Sequence, residues 1–90
     1  MKIMLVDDDR TMRTILKTLL EMERHDVSVW EGDTSEEIFR KAHLVHPDLI
    51  LLDVHLKEID GLEIVRQIRK DPELADTQVL MTSGLLGIAA

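Results

Sequence analysis

The sequence predicts an α/β fold, a doubly wound parallel sheet, and three observations lead there. Short apolar runs alternate with amphipathic stretches in the order β-α-β-α-β-α-β along the 90 residues. The run Leu49-Ile50-Leu51-Leu52 lacks polar alternation, the pattern of a strand buried on both faces. Two apolar runs end in carboxylates, Asp7-Asp8-Asp9 and Asp53, at the strand ends where open α/β sheets hold their ligands.

Each element has its own justification. Lys2 to Val6 is a short apolar strand. Residues Arg10 to Glu23 place Met12, Ile15, Leu16, Leu19 and Leu20 on one helical stripe, and Asp9 is the expected N-cap. Val27 to Trp30 alternates and reads as an edge strand, closed by a turn at Gly32-Asp33. Thr34-x-x-Glu37 is a capping-box pattern opening a second helix with Ile38, Phe39, Ala42 and Val45 on its apolar side. His46-Pro47 stops that helix, and the strand 49–52 follows, ending in Asp53. Asp60-Gly61 is a turn signal before a third helix whose inner face is read as Leu62, Val65 and Ile68, up to Asp71-Pro72. Gln78 to Thr82 is a fourth strand ending in the hydroxyls of Thr82 and Ser83, followed by apolar residues 84–90.

Composition narrows the function. Ninety residues make one small domain, taken as 1–90. A net charge of −7, with eleven Lys and Arg scattered along the chain, argues against direct nucleic-acid binding. There is no cysteine for a disulfide or thiolate metal site. No stretch approaches a signal-peptide core or a membrane span, so a cytoplasmic location is the expectation. His25, His43 and His46 read as surface or helix-end residues without metal-motif spacing, Trp30 as partial core, and the five methionines as core filler.

The acids carry the chemistry. In a flavodoxin-like strand order 2-1-3-4-5, strands one and three are neighbours and the switch point lies between them. Asp7, Asp8 and Asp53 then share a pocket, with Thr82 one strand further along. Carboxylates so placed repel unless a hard cation neutralises them, and magnesium, which favours oxygen ligands and phosphate groups, suits the set.

At these residues the sequence resembles a response-regulator receiver domain of two-component signalling. The resemblance lies in Ile3-Met4-Leu5-Val6-Asp7-Asp8-Asp9-Arg10-Thr11-Met12-Arg13, in Pro47-Asp48-Leu49-Ile50-Leu51-Leu52-Asp53, in Asp60-Gly61-Leu62-Glu63-Ile64 and in Val79-Leu80-Met81-Thr82-Ser83. Four motifs in register from residue 2 to about residue 84 make it specific. It implies that Asp53 accepts a phosphoryl group from a histidine kinase or phosphotransfer protein, forming an acyl phosphate. It implies that Asp8 and Asp53 bind Mg²⁺ directly, with the backbone carbonyl of His55, while Asp7 acts through water. It gives Thr82 the hydrogen bond to the attached phosphoryl group, and a conformational switch as the outcome. Such a protein phosphorylates itself, and can lose the group again, without being a conventional enzyme.

Departures from the family pattern carry expectations of their own. Lys57 stands where many receivers have proline, so a less rigid loop is expected, and His55 stands where the family tunes dephosphorylation. The chain reads as truncated after the fourth strand, a fold of four strands and three to four helices. Strand five with its phosphoryl-contacting lysine, and helix five, are absent. Val79-Leu80-Met81 is then an open, apolar sheet edge that favours self-association.

Two rival readings remain. One is a pseudo-receiver, a binding module that works without phosphorylation. The other is a haloacid-dehalogenase-like phosphatase, suggested by four apolar residues followed by Asp7-x-Asp9-x-Thr11, with Asp7 as nucleophile and Asp9 as general acid. It leaves Asp53 and Asp60-Gly61 without a role.

Overall fold

The computed structural model describes residues 1–31 and 34–82. The elements are β1 (Lys2–Val6), α1 (Arg10–Met22), β2 (Asp26–Val29), α2 (Ser35–Val45), β3 (Leu49–Asp53), α3 (Gly61–Lys70) and β4 (Gln78–Thr82). The turn read at Gly32-Asp33, the hydroxyl of Ser83 and the apolar residues 84–90 lie outside the described residues.

The strands lie in the order β2-β1-β3-β4, and every neighbouring pair is parallel. This is the flavodoxin-like doubly wound sheet that the sequence predicts, with β2 at one edge as expected. The register pairs Val6 with Leu52 and Asp53 with Thr82. Asp7, the residue after Val6, is therefore level with Asp53, and Thr82 with both.

Strand alternation divides the apolar residues between two faces. Met4, Val6, Ile50 and Leu52 face α2 and α3 and pack with Ile38, Ala42, Ile64 and Ile68. Ile3, Leu5 and Val27 face α1, against Leu16 and Leu20. The α1 face is the thinner of the two. No residue of α1 is buried, and Ile15 and Leu19 of its predicted stripe are exposed. Leu49 and Leu51 on that face are only half-buried, so β3 is fully covered on one face and not on both. One helix cannot cover the width of four strands.

Helix phasing brings further corrections. The inner face of α3 is Gly61, Ile64 and Ile68, with Val65 half-buried, while Leu62 points to solvent. Gly61 fits that phase: a Cβ there would meet the Val54 Cα, just after β3, at 3.3 Å, a tight contact that glycine avoids. Ile64 and Ile68 follow at i+3 and i+7 on the same side. Trp30 is wholly buried, its Nε1 donating to the Thr34 carbonyl at 3.1 Å. Leu56 and Leu74, single apolar residues in loops, are core members that helical or strand periodicity does not reveal. Met1 and Met22 are exposed and fill no core.

The helix ends follow their sequence signals. Asp9 caps α1 by accepting from the N–H groups of Thr11 and Met12. Thr34 caps α2 through the Glu37 N–H, but the Glu37 carboxylate is held by Arg40, so the capping box is half formed. Asp60 caps α3 through the Leu62 N–H.

The corrected phase of α3 has a direct consequence. Ile64→Ala is expected to cost about 2–5 kcal/mol by opening a cavity in the core. Leu62→Ala, on the solvent side of the same turn, is expected to stay within about 0.5 kcal/mol. Urea unfolding of both variants checks the assignment.

Candidate functional site

The site forms where β1 and β3 end. Asp7 and Asp53 are 6% and 7% exposed, low for carboxylates, and Asp8 is half-buried beside them. One oxygen from each of the three lies within 4.8 Å of the others. Among the described residues no cationic side chain pairs with any of them; the ion pairs lie on the helices and at the opposite end of the sheet.

Backbone N–H groups hold the acids in place. Asp9 N–H donates to Asp7 Oδ1 at 2.8 Å, and His55 N–H to Asp53 Oδ1 at 2.9 Å. Lys57 N–H reaches across from the β3–α3 loop to Asp8 Oδ2 at 2.8 Å. Arg13 adds a further tie, its guanidinium donating to the Asp7 carbonyl at 2.8 Å. The arrangement fixes three carboxylates without discharging them. Burial pushes the Asp7 carboxyl above its ordinary range and the charges of Asp53, Asp8 and Asp9 add to that, against the lowering pull of the Asp9 N–H.

Such a pocket fits a hard divalent cation. Its donors are all oxygen, they lie close together, and among the described residues none of the three carboxylates is in an ion pair. Thr82 borders it from β4: it pairs with Asp53, and its carbonyl accepts from the Val54 N–H at 2.7 Å. Thr82 also lines an apolar crevice with Asp7, Leu51 and Leu80. His55 is exposed at the pocket rim.

Two other groupings escape the sequence because each includes members distant in the chain. His43 lies between Asp71 and Glu73, its Nε2 at 2.6 Å from Asp71 and its Nδ1 against the Glu73 carboxylate. With a carboxylate at each ring nitrogen, the arrangement favours the protonated ring, which can donate to both. This clamps the end of α2 to the segment after α3, at the sheet end remote from Asp53. Arg10, Arg13 and Lys17, at i, i+3 and i+7 on α1, line with the distant Lys41 one groove of about 410 Å³ beside β2.

Fold and pocket together define a class: a parallel sheet in the order 2-1-3-4 with three acids at the ends of its two central strands. The Response regulator receiver domain family matches residues 3–86, and the chain belongs to it. It is 35% identical over 85 residues to the response regulator protein VraR of Staphylococcus aureus, covering 94% of this chain and 40% of that one. The structure is similar to the N-terminal domain of a response regulator receiver protein from Methanoculleus marisnigri JR1, with TM-score 0.82 and 31% identity over 90% of this chain and 64% of that one. It is also similar to the chemotaxis response regulator CheY4 of Vibrio cholerae, with TM-score 0.81 and 26% identity over 90% of this chain and 66% of that one. The chain thus spans 40% of the length of the curated relatives it matches. A receiver domain of response regulators is consistent with two-component signalling. No helix among the described residues is long and apolar enough to cross a membrane.

The His43 clamp sets a pH dependence. Hydrogen bonds accepted by Glu73 and then by Asp71 raise the His43 pKa above its ordinary value. Its stabilisation is therefore complete below about pH 6.5 and is lost as pH rises through the elevated folded value. For Asp71, desolvation pushes upward, but the Glu73 N–H and His43 outweigh it and hold the carboxyl below its usual range. The Asp71 contribution is lost as pH falls through that lowered value. His43→Gln is expected to flatten the alkaline-side fall in melting temperature between pH 6 and 9, as followed by circular dichroism.

Proposed function

We propose that the chain, residues 1–90 taken as one receiver domain, accepts a phosphoryl group on Asp53 from a phosphohistidine of a kinase or phosphotransfer partner. The observation that supports this best is the convergence of Asp7, Asp8 and Asp53, whose ligand atoms lie within 4.8 Å of one another. A carboxylate oxygen of Asp53 attacks phosphorus, the P–N bond to the partner's imidazole breaks, and an acyl phosphate forms. Asp7, Asp8, Asp53 and the His55 carbonyl are the groups to hold Mg²⁺. The ion, when bound, supplies positive charge between the nucleophile and the phosphoryl oxygens.

The protein's own groups do the rest. The His55 N–H on Asp53 Oδ1 orients the carboxylate and leaves its other oxygen for attack. Thr82, level with Asp53 on the adjacent strand, provides a hydroxyl for the phosphoryl group once attached. That bond, drawing on the end of β4, is the switch. His55, exposed at the rim, is placed to affect water access and hence the lifetime of the acyl phosphate.

The phosphatase alternative is weakened by Asp9, whose carboxylate is committed to the N-cap of α1. The binding-module alternative is separated by experiment. With Mg²⁺ and a small acyl phosphate, intact mass is expected to rise by one phosphoryl group, and not at all in Asp53→Asn. A phosphatase instead turns over and stops with Asp7→Asn; a pure binding module does neither. Mg²⁺ is also expected to raise the melting temperature of the wild type, and Asp7→Asn to raise it without the ion.

Self-association of this chain is proposed as well. It is supported, among the described residues, by the exposed apolar side chains Leu80 (55% exposed), Ile15 and Leu19 on the same side of the sheet. Sedimentation is expected to show dimers or larger species at tens of micromolar; a monodisperse monomer refutes it.

A further inference from the structure

We propose that the backbone N–H of Lys57 is a positioning group for the metal pocket: by holding one oxygen of Asp8 it turns the other toward the ion. This rests on the reading of Asp7, Asp8 and Asp53 as a Mg²⁺ site.

The three carboxylates are not held in the same way. Asp7 and Asp53 are bound by the N–H two residues further along their own strand ends, a local bond that forms wherever the turn forms. Asp8 is bound by an N–H 49 residues away, on the other loop of the pocket. Asp8 is also the least buried of the three, so packing restrains it least. Its orientation therefore depends on the β3–α3 loop being docked.

The loop conformation supports this. Glu58, next to Lys57, has φ 59°, the left-handed region that a side chain disfavours by about 1–2 kcal/mol. A non-glycine residue persists there when its surroundings over-determine it. The Lys57–Asp8 bond on one side and the Asp60 cap of α3 on the other do so. Leu56, buried in the core, anchors the loop from below.

Proline, frequent at this position in the family, has no N–H and cannot make the bond. The departure at Lys57 thus adds a tie between the two loops, opposite to the looser loop expected from sequence. Hydrogen bonds to a ligating carboxylate affect metal affinity about 10–100-fold.

Calorimetric titration with Mg²⁺ tests the proposal on three forms of the chain. Lys57→Ala keeps the N–H and is expected to bind like the wild type, within about twofold. Lys57→Pro removes the N–H and is expected to bind about tenfold more weakly. Equal or tighter binding by Lys57→Pro overturns the proposal and leaves the site reading intact. A wild type that takes no Mg²⁺ overturns both. Amide hydrogen exchange provides a second measurement should the proline variant fold poorly. The Lys57 amide is expected to be protected in the wild type and to exchange at least tenfold faster in Asp8→Ala, with β3 amides unchanged. Fast exchange of that amide in the wild type also overturns the proposal.

Discussion

Like charge held at close quarters is the constraint on which this structure turns. Three carboxylates meet where β1 and β3 end, and their repulsion works against folding. At this separation each pair costs between about 1 and 3 kcal/mol, depending on how much water enters. A domain of this size has a total stability of about 5–15 kcal/mol, so the repulsion is a sizeable fraction of it. The parallel pairing of β1 with β3 is what enforces the approach. The Val6–Leu52 register leaves the next residue of each strand an acid, side by side. Any slip by one residue would also turn Met4, Val6, Ile50 and Leu52 out of their core, so the apolar packing and the placement of the acids are one and the same decision.

The remote end of the sheet is organised by the opposite rule. There the charges are matched. His43 joins Asp71 and Glu73, Arg69 donates to the carbonyls of Ala75 and Thr77, and Asp48 accepts from the Lys2 N–H while its own N–H returns to the Lys2 carbonyl. These bonds lie where the strands begin, and the carboxylate cluster lies where they end.

Much of this was legible before any coordinates. Strand content and the three acids follow from apolar runs ending in carboxylates, because period and run length report burial directly, whereas the strand order came from the flavodoxin-like pattern. The α3 face was misread because the sequence offers Leu62 and Ile64 two residues apart, and the helix packs with Gly61 near Val54 and Ile64 turned inward. Covering both faces of β3 was over-read because an apolar run reports the preference of the residues and not the width of the layer above them. The His43 bridge was invisible because its partners are brought together by tertiary packing alone, whereas Arg10, Arg13 and Lys17 share a face of α1 by helical spacing and only Lys41 joins them through packing. The Lys57 tie escaped for a different reason: it uses a backbone N–H, which every residue but proline possesses and no side-chain pattern can announce.

The two loops of the pocket are linked by more than their shared charge. Arg13 of α1 holds the Asp7 carbonyl, and Lys57 of the β3–α3 loop holds the Asp8 carboxylate, so each end of the Asp7-Asp8 pair is tied to a different element. Asp9, next in sequence, caps α1 and fixes where the helix begins. Three consecutive aspartates thus bind two separate parts of the fold, α1 and the β3–α3 loop, while sharing one stretch of backbone. The same short turn is thus in contact with both α1 and the β3–α3 loop. That shared turn gives the domain a physical route from a single carboxylate to its surface.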